Sequence, residues 1–470
     1  MKGRLLENQI MHKYTLLVGL LLLSYYTKAQ QNTAARIDSV MQVAYQRGVF
    51  NGNILVAQKG KIIYEKSWGY ADGSRKKLLT TDMRFDIGSI SKEFNGTGIM
   101  LLKERGKLSL DDPISKFMPL LPFWAQQVKI RHLINYTSGI PLFDATSAET
   151  DSQILANLMT LKALSFEPGS AYIYNHYNVY LQERIIEKIS GLPYADFIKR
   201  NILVPCGMNN TIVDYPVNGA GMARAFSNEF IETPYAQAMT GWVRLPIGDL
   251  YKWTENLHKY KVISKASFKE LAANFAGGES SLGSVGFENE KLVWHQHQGS
   301  NSNYEALFYS NVKEDITIVM MTNNQQLKVH GIKAAILAAL KNEAVTVPKK
   351  SVYLEIREKV LANPDSGLAL YRKLKATGQN QYDFSFEIGD LISTGKYLER
   401  RSHFDDAVKV FTVAVALKGK PADISYGYEL IGQCYFKKGD KQEAIKYYTQ
   451  ALQTDPANKN AEGMLSTLMK

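Results

Sequence analysis

The chain changes texture at residues 344–351, Ala-Val-Thr-Val-Pro-Lys-Lys-Ser, and that break limits its possible folds more than any single motif. Before it, β-rich runs lie at both ends of a long segment. Residues 53–58 and 62–68, joined by the turn Lys59-Gly60-Lys61, stand at one end; 292–298, 304–310 and 316–322 stand at the other. An amphipathic helix starting near residue 36 carries Ile37, Met41, Ala44 and Tyr45 on one face, and further helices are predicted over 91–105, ending at Gly106, and over 331–342. The middle is loop-rich and helical, interrupted by Pro141, Pro168, Pro205, Pro216 and Pro246. Residues 30–343 therefore predict an α/β (α+β) fold, an antiparallel sheet flanked by helices with a helical subdomain. Residues 344–352 read as a linker, and 353–470 as an all-α domain.

The all-α part carries a repeat. Tyr428, Ile431, Gly432, Tyr435, Ala444, Tyr448, Ala451 and Pro456 match the tetratricopeptide pattern. Gly432 and Ala444 let two antiparallel helices approach, Tyr435 and Tyr448 are expected to fill the groove between them, and Pro456 stops the second helix. A weaker copy holds Gly395, Ala407, Phe411 and Ala414, and a third is hinted at by Leu368, Tyr371 and Leu374. Such repeats make a peptide or protein partner of this tail a candidate.

Charge and composition exclude several functions. The 470 residues are 45% hydrophobic and 21% charged, which is globular composition, and the net charge of +11 is scattered. The longest basic cluster, Arg75-Lys76-Lys77, is too short for nucleic-acid binding by counterion release. Two cysteines, Cys206 and Cys434, build no disulfide framework, and the eight histidines fall in no metal-binding spacing, so neither a metal nor a cofactor is expected. Residues 14–26 form a 13-residue apolar run after His12 and Lys13, short of the ~20 residues a membrane span requires. Residues 1–29 read as a signal peptide, with Thr27 and Ala29 at the positions before cleavage and Met11 as an alternative start. The mature chain is expected to begin near Gln30, to be exported to the periplasm or medium, and to have no transmembrane span.

Ser89-Ile90-Ser91-Lys92 has the spacing S-x-x-K, which puts a hydroxyl and an amine on one face of a helix where they can exchange a proton. A serine at a helix N-terminus also meets a dipole that favours negative charge. The spacing alone is weak, since it recurs at Ser74/Lys77, Ser310/Lys313 and Ser393/Lys396. Ser89 is singled out by three stretches downstream of it: Gly106-Lys107-Leu108-Ser109-Leu110-Asp111-Asp112-Pro113, then Ile130-Arg131-His132-Leu133-Ile134 and Thr137-Ser138-Gly139-Ile140-Pro141. In this order, residues 36–342 resemble the serine β-lactamase-related family, the penicillin-recognising hydrolases of the class C type.

The resemblance implies an exported serine hydrolase acting through an acyl-enzyme on a small ester, amide or peptide. Ser89 would be the nucleophile, Lys92 the group that takes its proton, and Tyr174 the counterpart of the family's catalytic tyrosine. The family's Tyr-x-Asn element departs here, because His176 stands where Asn is usual; a neutral imidazole could replace it with a charge that varies near pH 6–7, and Asn178 is a second candidate. Tyr309-Ser310-Asn311 matches the same letters but lies out of order. His297-Gln298-Gly299-Ser300 resembles the family's Lys-Thr-Gly or His-x-Gly strand. Gly299 would let a substrate lie close, the backbone N–H groups of Ser89 and Ser300 would form an oxyanion hole, and His176, His297 and Gly299 would bind substrate. With His297 for Lys, neutral imidazole offers one donor in place of a permanent cation, which ranks esterase or peptidase activity above β-lactam hydrolysis. His295 is read as structural, as are Asp249, Leu250 and Trp253. For Trp242 both a core and a pocket position stay open. The alternative function is a catalytically weak or inactive hydrolase domain acting as a binding or scaffold protein through the helical tail.

Overall fold

The computed structural model describes residues 32–142, 150–214, 219–233 and 241–469. The expected leader lies outside these residues, and among them no helix is long and apolar enough to cross a membrane. The chain divides into two compact units.

The first unit, built mainly from Phe50–Gln325 and Val329–Thr346, holds a six-stranded sheet. Its strands are β1 (Gly52–Gln58), β2 (Lys61–Trp68), β3 (Ser284–Glu288), β4 (Lys291–Asn301), β5 (Tyr304–Asn311) and β6 (Ile316–Thr322), in the spatial order β2-β1-β6-β5-β4-β3. All neighbours are antiparallel. The sheet joins the two ends of the unit: β1 pairs with β6 from Gly52↔Thr322 to Gln58↔Ile316. Central position explains the sequence of β1, whose residues 52–57 are all buried, whereas β2 exposes Lys61, Glu65 and Lys66 at an edge. The opposite edge, β3, had no counterpart among the sequence expectations. Its Ser-Val-Gly-Phe-Glu is weakly β-like, and Gly286 is there because a Cβ would lie 2.0 Å from Nε1 of Trp294.

Helix α1 occupies residues 32–46, α2 Lys92–Glu104, α3 His176–Ser190, α4 Ile247–His258 and α5 Val329–Lys341. α2 is the core helix: residues 92–102 are all buried, Lys92, Glu93, Asn95 and Thr97 among them. Phe94, Ile99 and Met100 pack with Leu181, Ile185 and Ile186 of α3 and with Trp253 of α4 in one cluster. Lys92, Glu93 and Asn95 of this buried stretch find internal partners in Ser89, Trp253 and Glu183, and the first two of these pairings shape the site described below.

The second unit, mainly Val347–Lys470, is helical: α6 (Val352–Ala362), α7 (Pro364–Thr377), α8 (Glu387–Glu399), α9 (Phe404–Val415), α10 (Pro421–Lys437), α11 (Lys441–Thr454) and α12 (Lys459–Leu468). Two copies of one packing device recur. A Cβ on Gly432 would stand 3.1 Å from the Tyr448 ring, and one on Gly395 2.3 Å from that of Phe411, so in each pair a glycine sixteen residues ahead seats the aromatic. Ala444, Tyr448 and Ala451 are buried as expected. Tyr435, by contrast, is half-buried and stacks on Tyr447 at 5.5 Å, so Tyr448 fills the interhelical groove with Tyr435 at its margin. The end of the expected linker is structured, since Lys350–Ser351 pairs in parallel with Tyr382–Asp383 and α6 starts at Val352.

Candidate active site

Ser89 sits in a 3₁₀ turn, Gly88–Ser91, that feeds α2; the α-helix proper starts at Lys92, so Ser89 stands one turn ahead of the helix. Three residues per turn bring i and i+3 into eclipse, which lines up Ser89 with Lys92. The Lys92 Nζ donates to Ser89 Oγ at 3.1 Å, and the Tyr174 hydroxyl donates to the same oxygen at 2.8 Å. Three groups far apart in sequence thus meet on one atom. Lys92 is 2% exposed, while Ser89 and Tyr174 are half-buried.

Each member is held by its own scaffold. The Asp86 carboxylate accepts from the Gly88 N–H at 2.8 Å, from Asn301 Nδ2 at 3.1 Å and from Arg244 at 3.0 Å, tying the Ser89 turn to β4 and to the strand Val243–Leu245. Burial pushes Asp86 up, opposed by Arg244 and these N–H groups. Ser91 Oγ accepts from the Val243 N–H at 2.9 Å. Tyr174 precedes the N-cap of α3, Asn175, which accepts from the Asn178 N–H and donates to the Ile140 carbonyl at 2.7 Å. The Ile173 N–H donates to Tyr136 O, and the Tyr136 and Tyr174 rings lie 4.8 Å apart. Thr137-Ser138-Gly139 is the other wall of this loop: Gly139 has φ 75° and a Cβ there would stand 2.2 Å from the Phe166 carbonyl.

The strand β4 runs past the Ser89 turn with His295, His297 and Gly299 on its buried face. A Cβ on Gly299 would lie 1.9 Å from Ile87 O and 2.6 Å from Ser89 N, and one on Gly88, φ 53°, would lie 2.3 Å from Ser300 N. These two glycines bring the main-chain amides of Ser89 and Ser300 to one place.

His176, the first residue of α3, faces the rings of Trp242 at 5.9 Å and Tyr174 at 6.5 Å. Burial, and next the charge of Lys92, lower its pKa to about 3, so the expectation of a charge that varies near pH 6–7 is corrected: the ring is neutral there. Asn178 is no substitute, because it is fully buried and its Nδ2 is bound to the cap Asn175. Trp242 is half-buried, with the Lys92 Nζ 5.5 Å from its ring, and together with His176, Asn95 and Glu183 it lines a narrow cavity beside Lys92. It therefore belongs to the pocket. Tyr309 lies in β5 opposite Gln296, and its ring meets Lys333.

His297 is held inside the core through one of its two ring nitrogens. It is 4% exposed, and its Nδ1 is 2.8 Å from Glu93 Oε1. Glu93 also accepts from Trp253 Nε1 at 2.6 Å and lies 3.3 Å from His295 Nε2. Burial works against this carboxylate, yet His295 and His297 outweigh it and hold it at about 2. Sequence reasoning passed over Glu93, Asp86 and Arg244. The signal for the first was a carboxylate one turn after Ser89 in an otherwise buried helix; nothing in the letters linked the other two, 158 residues apart.

Residues 31–343 match the Beta-lactamase family, and 425–458 match the tetratricopeptide repeat. The chain belongs to the Beta-lactamase family. Penicillin-binding protein 4* of Bacillus subtilis (strain 168) is 30% identical over 336 residues, 63% of this chain and 73% of that protein. The fold is that of a class C beta-lactamase (TM-score 0.57, 18% identity, 68% of this chain and 98% of that one). It is equally that of the D-amino acid amidase of Ochrobactrum anthropi SV3 (TM-score 0.56, 22% identity, 66% and 98%). Membership of this family and the tetratricopeptide match set the coarse function: a β-lactamase-related, penicillin-binding-protein-like chain with a repeat suited to protein interaction.

Proposed function

We propose that the chain is an exported serine hydrolase that works through an acyl-enzyme on a small ester, amide or peptide. The observation that carries the reading is the convergence of Lys92 Nζ and the Tyr174 hydroxyl on Ser89 Oγ. In the reaction, Lys92 takes the Ser89 proton as Oγ attacks the substrate carbonyl, and the Ser89 and Ser300 N–H groups receive the oxyanion. Tyr174 relays that proton from Lys92 to the leaving group, so that both groups end in their starting state. The tetrahedral adduct then collapses to the serine ester, which water hydrolyses by the same groups in reverse.

Supporting an amide or ester substrate is the similarity to an amidase as well as to β-lactamases and a penicillin-binding protein. The test is fluorophosphonate labelling together with p-nitrophenyl ester turnover. Ser89→Ala is expected to abolish both while the melting temperature holds, and undiminished labelling of that variant removes Ser89 from the mechanism. A fragment ending near residue 345 is expected to retain turnover, leaving the tail to recruit a peptide or protein.

A further inference from the structure

Glu93 is a fully buried carboxylate that the acyl-transfer steps do not use, and its hydrogen bond to His297 determines where the proton sits on that ring. His295 Nε2 lies 2.7 Å from the Leu282 carbonyl, which can only accept, so that nitrogen carries the hydrogen. His295 Nδ1 is then the acceptor for His258 Nε2 at 2.8 Å. An ionised carboxylate likewise only accepts, so the 2.8 Å contact from His297 to Glu93 Oε1 requires the hydrogen on Nδ1. The single donor of a neutral His297 is thereby used inside the core. Nε2 is left as the nitrogen through which the ring deals with anything on the strand face that carries Gly299 against Ser89.

We infer that Glu93 is a positioning residue: it fixes His297 with Nδ1 protonated and Nε2 directed to the reaction face, and acts on turnover only through His297. The inference rests on the acyl-enzyme reading of this site. The geometry favours it over a purely structural role, because Glu93 lies one helical turn beyond Ser89 and next to Lys92, so the same turn that carries the nucleophile also orients the strand histidine. Trp253 locks the other carboxylate oxygen and prevents the side chain from rotating away.

Long-range proton–nitrogen spectra of the full chain labelled with ¹⁵N-histidine test the first half, with the His297 signals assigned by their loss in His297→Gln. The expected wild-type pattern has Nδ1 protonated; an Nε2–H tautomer overturns the inference whatever the activity. Glu93→Gln is expected to mix the tautomers and lower kcat on a p-nitrophenyl ester by roughly 10–100-fold, as loss of an orienting partner does elsewhere, with Glu93→Asp recovering part of it. In a His297→Gln background, Glu93→Gln should cause no further loss of kcat. An equal loss in both backgrounds means a structural role and overturns the inference. Should Glu93→Gln fail to fold, the wild-type tautomer decides. An inert wild type that shows the Nδ1–H pattern would remove the hydrolase reading, and with it the effect on turnover.

Discussion

Gly299→Ala isolates how much the contact between β4 and the Ser89 turn matters. The added Cβ would stand 1.9 Å from Ile87 O and 2.6 Å from Ser89 N, and both neighbours are backbone, which cannot rotate aside. A carbon-to-oxygen contact relaxes to about 3.3 Å, so strand and turn must separate by about 1.4 Å. Overpacking of this kind costs about 1–3 kcal/mol, a fall of roughly 2–10 °C in Tm for a unit this size. The catalytic cost is larger, because the separation pulls the Ser300 and Ser89 amides apart, and a displacement of about 1 Å or loss of one oxyanion donor each lowers rate by about 10²-fold or more. The assay is kcat on a p-nitrophenyl ester beside a thermal melt. Gly286→Ala is the control, since its Cβ also clashes, 2.0 Å from Trp294 Nε1, but at the β3 edge of the sheet. It should lose stability and keep turnover. A Gly299→Ala enzyme within about twofold of wild type would refute the placement of the two amides.

Two further outcomes concern stability. Asp86 and Arg244 are 1% and 0% exposed, so Asp86→Asn or Arg244→Leu alone strands a buried partner and is expected to cost about 3–5 kcal/mol by denaturant titration, whereas replacing both should cost less than the two single losses added. Acid should also weaken the first unit. Burial holds His258 at about 3 against 6.5, so the unfolded chain takes that proton first, and stability is full above pH 6.5 and lost as pH falls toward 3; Glu93, at about 2 against 4.5, adds a loss below pH 4.5. Melts between pH 7 and 4 that do not shift would contradict this, and His258→Phe should flatten the upper part of the slope.

The legible parts of the sequence were those whose physics is local. The run 316–322 reads as a strand because it is an unbroken β-branched and apolar stretch, which the full burial of β6 suits, and the S-x-x-K spacing reports the Ser89–Lys92 contact because one turn of helix makes it. Tyr174 was reached only through motif order, since 85 residues separate it from Ser89 and the loop that delivers it is set by Asn175, Tyr136 and Gly139. Edge strand β3 was hidden because its glycine serves Trp294 and not its own propensity. The Asp86–Arg244 and Glu93–His297 pairs were hidden because a buried charge is explained by its partner, and sequence does not give the partner. The ring charge of His176 followed from burial and from Lys92, neither visible in the letters.

The two site histidines, His176 and His297, have one electrostatic consequence. His176 is neutral above about pH 4, and His297 is bound to the Glu93 carboxylate, so that pair carries no net positive charge in either protonation state of the ring. Neither supplies the fixed cation that a lysine in the Lys-Thr-Gly position offers a substrate carboxylate. Restoring the lysine alone should not recover it, because Glu93, 2.8 Å from the present ring, would capture an ammonium placed there. His297→Lys is therefore expected to leave nitrocefin hydrolysis unimproved, and His297→Lys with Glu93→Gln to raise it. A charge-assisted hydrogen bond of about 1.5–3 kcal/mol corresponds to a gain of roughly 10–150-fold in kcat/KM. If the single variant gained as much as the double, Glu93 would not be neutralising that position.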